Sequence, residues 1–155
     1  MIDKDFLTTN YYYLGGHLYR TSDNTRIGSI DKYGYGVIQI RNKKYRAHRL
    51  IWFYHYGVWP TGPIDHINGI RSDNTIENLR EATTQQNNFN RKPKNGISSK
   101  YKGLSWHKRN KKWQVQYQLN GNMIYVGLYE CEIEAAKAYD EAVRKHQGEF
   151  MKANV

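Results

Sequence analysis

Asp65 and His66 stand side by side in the middle of the chain, in the stretch IDHINGIRSDNTIENL, between two segments rich enough in apolar residues to form core. If the pair lies on a strand, the two side chains point to opposite faces. A carboxylate can then hold a divalent cation under a phosphodiester while the imidazole reaches an attacking water from the other side. Imidazole titrates close to neutrality, which makes histidine the natural general base for that step. Carboxylate and amide oxygens are hard donors that suit magnesium or manganese, so an asparagine carbonyl from a following helix would complete the protein's share of the coordination. Such an ion stabilises the pentacovalent phosphate and the leaving oxygen. Asn68, Gly69, Asp73 and Asn74 offer the side-chain-to-backbone bonds and left-handed conformations that a long ordered loop needs. A lone Asp–His pair in a loop more often caps or hydrogen-bonds at the surface. What sets this pair apart is Asn78, twelve residues beyond His66, and Asn87, nine residues further.

The flanking sequence must position these groups. YYYL and HLYRT surround Gly15-Gly16, and GVIQIR and KYRAH surround Asn42-Lys43, so two β-hairpins are predicted. From His48, HRLIWFYHY reads as a short buried helix stopped by Gly57 and Pro60. His48 and His55 lie on that apolar helix and read as structural histidines. Beyond the polar loop, LREAT is a strand, and Thr83 or Thr84 caps a helix through QQNNFN that ends by Pro93. The order is strand, long loop, strand, helix. Residues 91–100, RKPKNGISSK, mix cations with Pro, Gly and Ser without a period and read as a linker. YKGLSWHKR, KWQVQYQL and NMIYVGLY alternate as three strands, the last two joined at Asn120-Gly121. EIEAAKAYDEAVRKHQ is a helix with a small apolar face of Ala135, Ala138, Tyr139, Ala142 and Val143, followed by Gly148.

The 155 residues carry 24 Lys and Arg against 14 Asp and Glu, a net charge of +10 with both halves basic, and point to a polyanionic partner. No run of about eighteen apolar residues exists, and MIDKDFLTTN lacks the pattern of a signal peptide, so no membrane is expected and the compartment is read as cytoplasmic. A single cysteine, Cys131, excludes an internal disulfide framework and paired Cys-x-x-Cys zinc ligands, and at a helix start it reads as a poor cap rather than a nucleophile. No Walker-type loop or Gly-x-Ser-x-Gly elbow is present.

Asp65-His66, Asn78 and Asn87, set within HRLIW, DHINGIRSDNTIENLREAT and QNNFNR, resemble the HNH nucleases of the phage and intron-borne homing type. The resemblance implies the ββα-metal fold, Asp65 and Asn87 as ligands of Mg2+ or Mn2+ with no zinc, and His66 as the base. It makes Asn78 the residue that pins the loop and orients His66. Asn87 stands where many such enzymes have histidine. Residues 101–150 are similar to the plant ethylene-response-factor (APETALA-type) DNA-binding domain in YKG, KW, YVGLY, EAAKAYDEA and GEF, with Asn154 beyond. There alternate sheet residues contact DNA, which here implies Lys102, Ser105, His107, Gln116, Gln118 and Tyr125, with Gln114 on the same face. Glutamine can bond adenine edges. Lys108 and Arg109 in a basic turn, Arg71, and Arg91, Lys92 and Lys94 of the linker are candidate phosphate contacts.

The expected fold is therefore α+β: N-terminal antiparallel strands with an HNH module over 1–90, a linker over 91–100, and over 101–155 a three-stranded antiparallel sheet packed on one helix. The expected function is metal-dependent endonucleolytic cleavage or nicking of double-stranded DNA at a site selected by the C-terminal sheet, in a phage protein acting inside a bacterial cell. The alternative is a sequence-specific DNA-binding regulator with an inactive nuclease module. An RNA-binding reading lacks the expected stacking motif.

Overall fold

The structure, a computed structural model, describes residues 2–91 and 98–155. Among the described residues it is mixed α+β, with four helices and small antiparallel sheets, and its contacts divide the chain into two compact units, Met1–Thr83 and Thr84–Val155. The linker expected over 91–100 falls largely on residues 92–97, outside the described residues, and so do Lys92, Pro93 and Lys94.

The first unit begins with a helix that the sequence reading did not anticipate, α1 (Lys4–Asn10), whose N-cap Asp3 accepts the Phe6 amide at 2.7 Å. Two three-stranded sheets follow: β1 (Tyr11–Leu14), β2 (His17–Arg20) and β3 (Arg26–Ile27), then β4 (Ser29–Ile30), β5 (Gly36–Ile40) and β6 (Lys43–Arg46). The first hairpin turns at Gly15-Gly16 as expected. The second turns at Arg41-Asn42, one residue earlier than expected. Both turn residues have positive φ, 48° and 62°, which asparagine accepts readily and arginine rarely does. Here the Arg41 guanidinium lies 3.8 Å from the Phe6 ring centroid.

Helix α2 (Ala47–Tyr56) buries Ala47, His48, Leu50, Ile51 and Phe53, a spacing of three and four that turns one face inward, and it ends on left-handed Gly57. Leu7, Leu18, Leu50 and Ile51 are fully buried, and Ile38, Ile40, Ile64 and Leu79 complete the core around them. Arg49 on α2 reaches out to the carbonyls of Pro60 and Gly62, both at 2.9 Å, and so fixes the chain just before β7 (Ile64–His66). β7 pairs antiparallel with β8 (Leu79–Glu81), and the loop between them closes through a 3-10 turn, Ile76–Asn78.

The second unit opens with α3 (Thr84–Asn90). Its sheet has the order β11-β10-β9, built from β9 (Leu104–His107), β10 (Lys112–Leu119) and β11 (Asn122–Tyr129). Helix α4 (Glu132–Gln147) covers one face. Val115, Ala135, Ala136 and Val143 are fully buried between sheet and helix, with Leu104, Tyr117, Tyr139 and Phe89 around them. Alanines on the helix let it lie close to the sheet. Glu132 and Glu134 in the first turn and Arg144, Lys145 and His146 in the last favour the helix dipole. Buried Asp140 accepts the amides of Asn154 and Val155, and Asn154 in turn bonds both backbone groups of Lys102, so the C-terminal segment is clipped onto the sheet.

Candidate active site

All three residues of β7 are buried, but on two sides. Ile64 and His66 face the core with their cross-strand neighbour Leu79, and Asp65 pairs with Arg80 on the opposite face. The Asp65 carboxylate is only 3% exposed, and its Oδ2 accepts both Nε and Nη2 of Arg80 at 2.9 Å. That fork holds the carboxylate in one orientation. Arg80 was missed in the sequence. Its opposite charge was visible, but only the register of β7 on β8 puts it across from Asp65.

His66 is 6% exposed, and its Nε2 lies 3.1 Å from Asn74 Oδ1. The amide nitrogen of Asn74 faces the Ser72 carbonyl, so its oxygen is the atom offered to the ring. A hydrogen on Nε2 would meet that oxygen, and in that tautomer the lone pair is on Nδ1. Asn74 is itself held by two close approaches. A Cβ on Gly16 would meet the Thr75 amide at 2.8 Å, and a Cβ on Gly36 would meet Ala47 Cβ at 2.7 Å and Asn74 Nδ2 at 3.1 Å. The N-terminal hairpins, which had only a generic reading in the sequence, thus cradle the residue that orients His66.

Asn78 bonds the loop from within: its Oδ1 accepts the Asn68 amide at 2.9 Å and its Nδ2 donates to the Asp73 carbonyl at 2.8 Å. Asn74 Oδ1 lies at hydrogen-bond distance from the His66 ring. Asp73 accepts Asn68 Nδ2 and the amide and hydroxyl of Thr75, and the Thr75 hydroxyl first, then burial working against it, leaves its carboxyl below the ordinary range.

Two aromatic rings complete the surroundings of His66. His48 on α2 stands edge-on at 5.3 Å between centroids, and Tyr35 lies 6.3 Å away. His48 is buried, and among the described residues its Nδ1 has no hydrogen-bond partner. Burial first, then the charges of His66, Arg49 and Arg46, push its pKa down to about 4.

Asn87 lies on α3, in the second unit. Among the described residues no three His, Cys, Asp or Glu side chains gather into a metal-holding group. The donor chemistry on offer is one buried carboxylate, with an amide oxygen as its companion in the sequence reading. That set fits magnesium, which keeps most of its water and is commonly held by one or two protein oxygens plus substrate phosphate.

In the second unit, the register places Ser105 opposite Gln114, Gln116 opposite Tyr125 and Gln118 opposite Met123, so the candidate base readers Ser105, Gln114, Gln116, Gln118 and Tyr125 share the face away from buried Val115 and Tyr117. A bulge in β11 between these pairs leaves the β10 alternation intact. Gln114 Nε2 donates to Gln116 Oε1 at 3.0 Å. Lys108 and Arg109 are exposed in the β9–β10 turn, where His107 Nδ1 accepts the Asn110 amide. Arg91 is exposed just after α3 and Arg71 in the active-site loop. Lys102 differs: its ammonium donates to the carbonyls of Phe89 and Lys152 at 2.7 and 2.6 Å, and burial pulls its pKa down to about 8. That ammonium ties α3 and the C-terminal segment to the sheet.

Residues 45–89 match the family model of HNH endonucleases. Protein 3.8 of Escherichia phage T7 is 37% identical over 70 residues, 44% of this chain and 58% of that protein. The AP2-like ethylene-responsive transcription factor CRL5 of Oryza sativa subsp. japonica is 33% identical over 95 residues, 56% of this chain and 15% of the factor. APETALA2-like protein 2 of Oryza sativa subsp. indica is 43% identical over 53 residues, 33% of this chain and 12% of that protein. The chain thus spans less than two thirds of each of these relatives. Residues 45–89 are thus similar to HNH endonucleases, and part of the chain is similar to AP2-type transcription factors. Among the described residues no helix is long and apolar enough to cross a membrane.

Proposed function

We propose that this chain is a metal-dependent DNA endonuclease of the homing type, which nicks or cuts double-stranded DNA at a site selected by its C-terminal sheet. The observation that carries the reading is the buried β7–β8 pair, where Asp65 and His66 sit on opposite faces, each held in one orientation, by Arg80 and by Asn74. A surface Asp–His pair has no need of such support.

His66, with Nε2 engaged by Asn74, takes the proton of the attacking water at Nδ1. Asn78 holds the 67–73 loop in the shape that keeps Asn74 in place. HNH endonucleases generally use divalent metal ions, and Asp65, with Asn87 as the resemblance assigns, would hold Mg2+ or Mn2+ here. Such an ion supplies charge stabilisation at the phosphate and the leaving oxygen. Ser105, His107, Gln114, Gln116, Gln118 and Tyr125 read base edges, while Lys108, Arg109, Arg71, Arg91, Lys92 and Lys94 meet phosphates.

The test is incubation of supercoiled plasmid and phage genomic DNA with the protein in magnesium, in manganese and in EDTA, beside the His66→Ala protein. Metal-dependent conversion to open-circle or linear DNA, lost in the variant, is expected. Binding without conversion in every condition would instead favour a regulator with an inactive nuclease module.

A further inference from the structure

The nuclease unit carries two cations near His66: Arg71, a candidate phosphate contact, and Arg46, which has no role in the reaction so far. Arg46, the residue before α2, and Arg71, in the active-site loop, come from distant parts of the chain. Both bring a guanidinium over the same ring, Tyr35, at 5.3 and 5.0 Å from its centroid. That ring lies 6.3 Å from His66 and 5.9 Å from His48.

Gathering two like charges on one ring near a general base costs repulsion, and the fold holds them there by separate devices. Asp31 accepts the amides of Tyr33 and Tyr35 at 2.8 and 2.9 Å, which closes the 31–35 turn and fixes the ring, and it also binds the Arg46 guanidinium. Arg71 donates one N–H to the Tyr33 carbonyl at 2.9 Å. A guanidinium has five N–H groups. Among the described residues each arginine gives one Nη to these partners, and both residues are exposed.

We propose that Arg46 and Arg71, aligned on Tyr35, clamp a backbone phosphate of DNA beside His66. This rests on the nuclease reading for its substrate and goes beyond it in adding Arg46 and in making Arg46, Arg71 and Tyr35 one device beside His66. Planar forks that rest on an aromatic face are pre-aligned for bidentate contact with a phosphodiester, and a lysine at either position would keep the charge but lose the fork. Tyr35 is a positioning residue whose ring sets both guanidiniums relative to His66.

The experiment has two arms on the full chain. In EDTA, where cleavage is suppressed, duplex binding is measured by anisotropy across a series of salt concentrations for wild type, Arg46→Gln, Arg71→Gln and Arg71→Lys, with the melting temperature of each checked. Each Gln variant is expected to lower the slope of log K against log salt by about one, as loss of one phosphate contact does, while Arg71→Lys keeps the slope. In magnesium, single-turnover cleavage at saturating DNA is expected to fall at least about tenfold in Arg71→Lys and in Tyr35→Leu, and to be largely restored in Tyr35→Phe, which keeps the ring. Unchanged slopes in both Gln variants overturn the clamp, and if His66-dependent cleavage persists in wild type the nuclease reading survives. Lowered slopes in a wild-type protein that never cleaves uphold the clamp as a DNA contact and sink the nuclease reading.

Discussion

The Asn74 amide is a hydrogen-bond partner through which the fold orients His66. Asn74→Ala removes the Nε2 partner and lets the ring take either tautomer. Because the defect lies in the base and not in DNA contacts, kcat should fall on the order of tenfold or more with KM nearly constant, and steady-state kinetics on a cleavable plasmid will read the split. His48 gives a second effect with a definite sign. Its folded pKa, about 4, lies below the unfolded value of 6.5, so the unfolded chain binds the proton first as the solution is acidified. The stability is fully present above pH 6.5 and is lost progressively as pH falls towards 4, by about 3 kcal/mol on that shift. His66, Arg49 and Arg46 add to the penalty of charging the ring. Chemical denaturation from pH 7 to pH 4 should therefore be steeper in wild type than in His48→Phe.

The short β7–β8 hairpin carries more than its length suggests, because it buries an ion pair as well as Ile64 and Leu79. Arg80→Met would leave a carboxylate that is 3% exposed without that cation, and such a loss typically costs about 3–5 kcal/mol. Converting Asp65 to Asn in the same protein should return part of that stability while removing the negative charge that the proposed function brings to the metal. A denaturation midpoint in Arg80→Met equal to that of wild type would count against Arg80 as the residue that holds the carboxylate. On the other sheet, β10 separates its two roles by alternation alone: Val115 and Tyr117 face α4, and Gln114, Gln116 and Gln118 face away. Elements of this kind were legible beforehand. Helix α4 runs over the residues its periodicity marked, and Asn120-Gly121 turns with positive φ at both positions. The hairpin at Arg41-Asn42 was placed one residue late because an arginine at positive φ runs against the local rule, and it is tolerated where the side chain gains a ring to lie on.

For the molecule as a whole, the proposed function gives target choice to one basic unit and hydrolysis to the other, so the two should be separable. Replacing Gln116 and Gln118 by Ala should relax or weaken the choice of site, with the footprint broadened or lost, while cleavage at sites still bound keeps its metal dependence. An unchanged footprint would remove the sheet from the role of reader. The sequence by itself determined which residues could do chemistry and in what order the elements carrying them occur, since side-chain type, turn chemistry and hydrophobic period act over a few neighbouring positions. It also marked the charge that calls for a polyanion. Tertiary structure alone decided who holds whom. Asn74 on His66, Arg80 on Asp65, and Arg46 and Arg71 on Tyr35 join positions distant along the chain or turned together by a strand register. The same is true of Lys102, which the resemblance implied as a DNA contact and whose ammonium donates to the carbonyls of Phe89 and Lys152. Such pairings follow from how sheets pack on helices, a contest among many weak long-range contacts that no local pattern records.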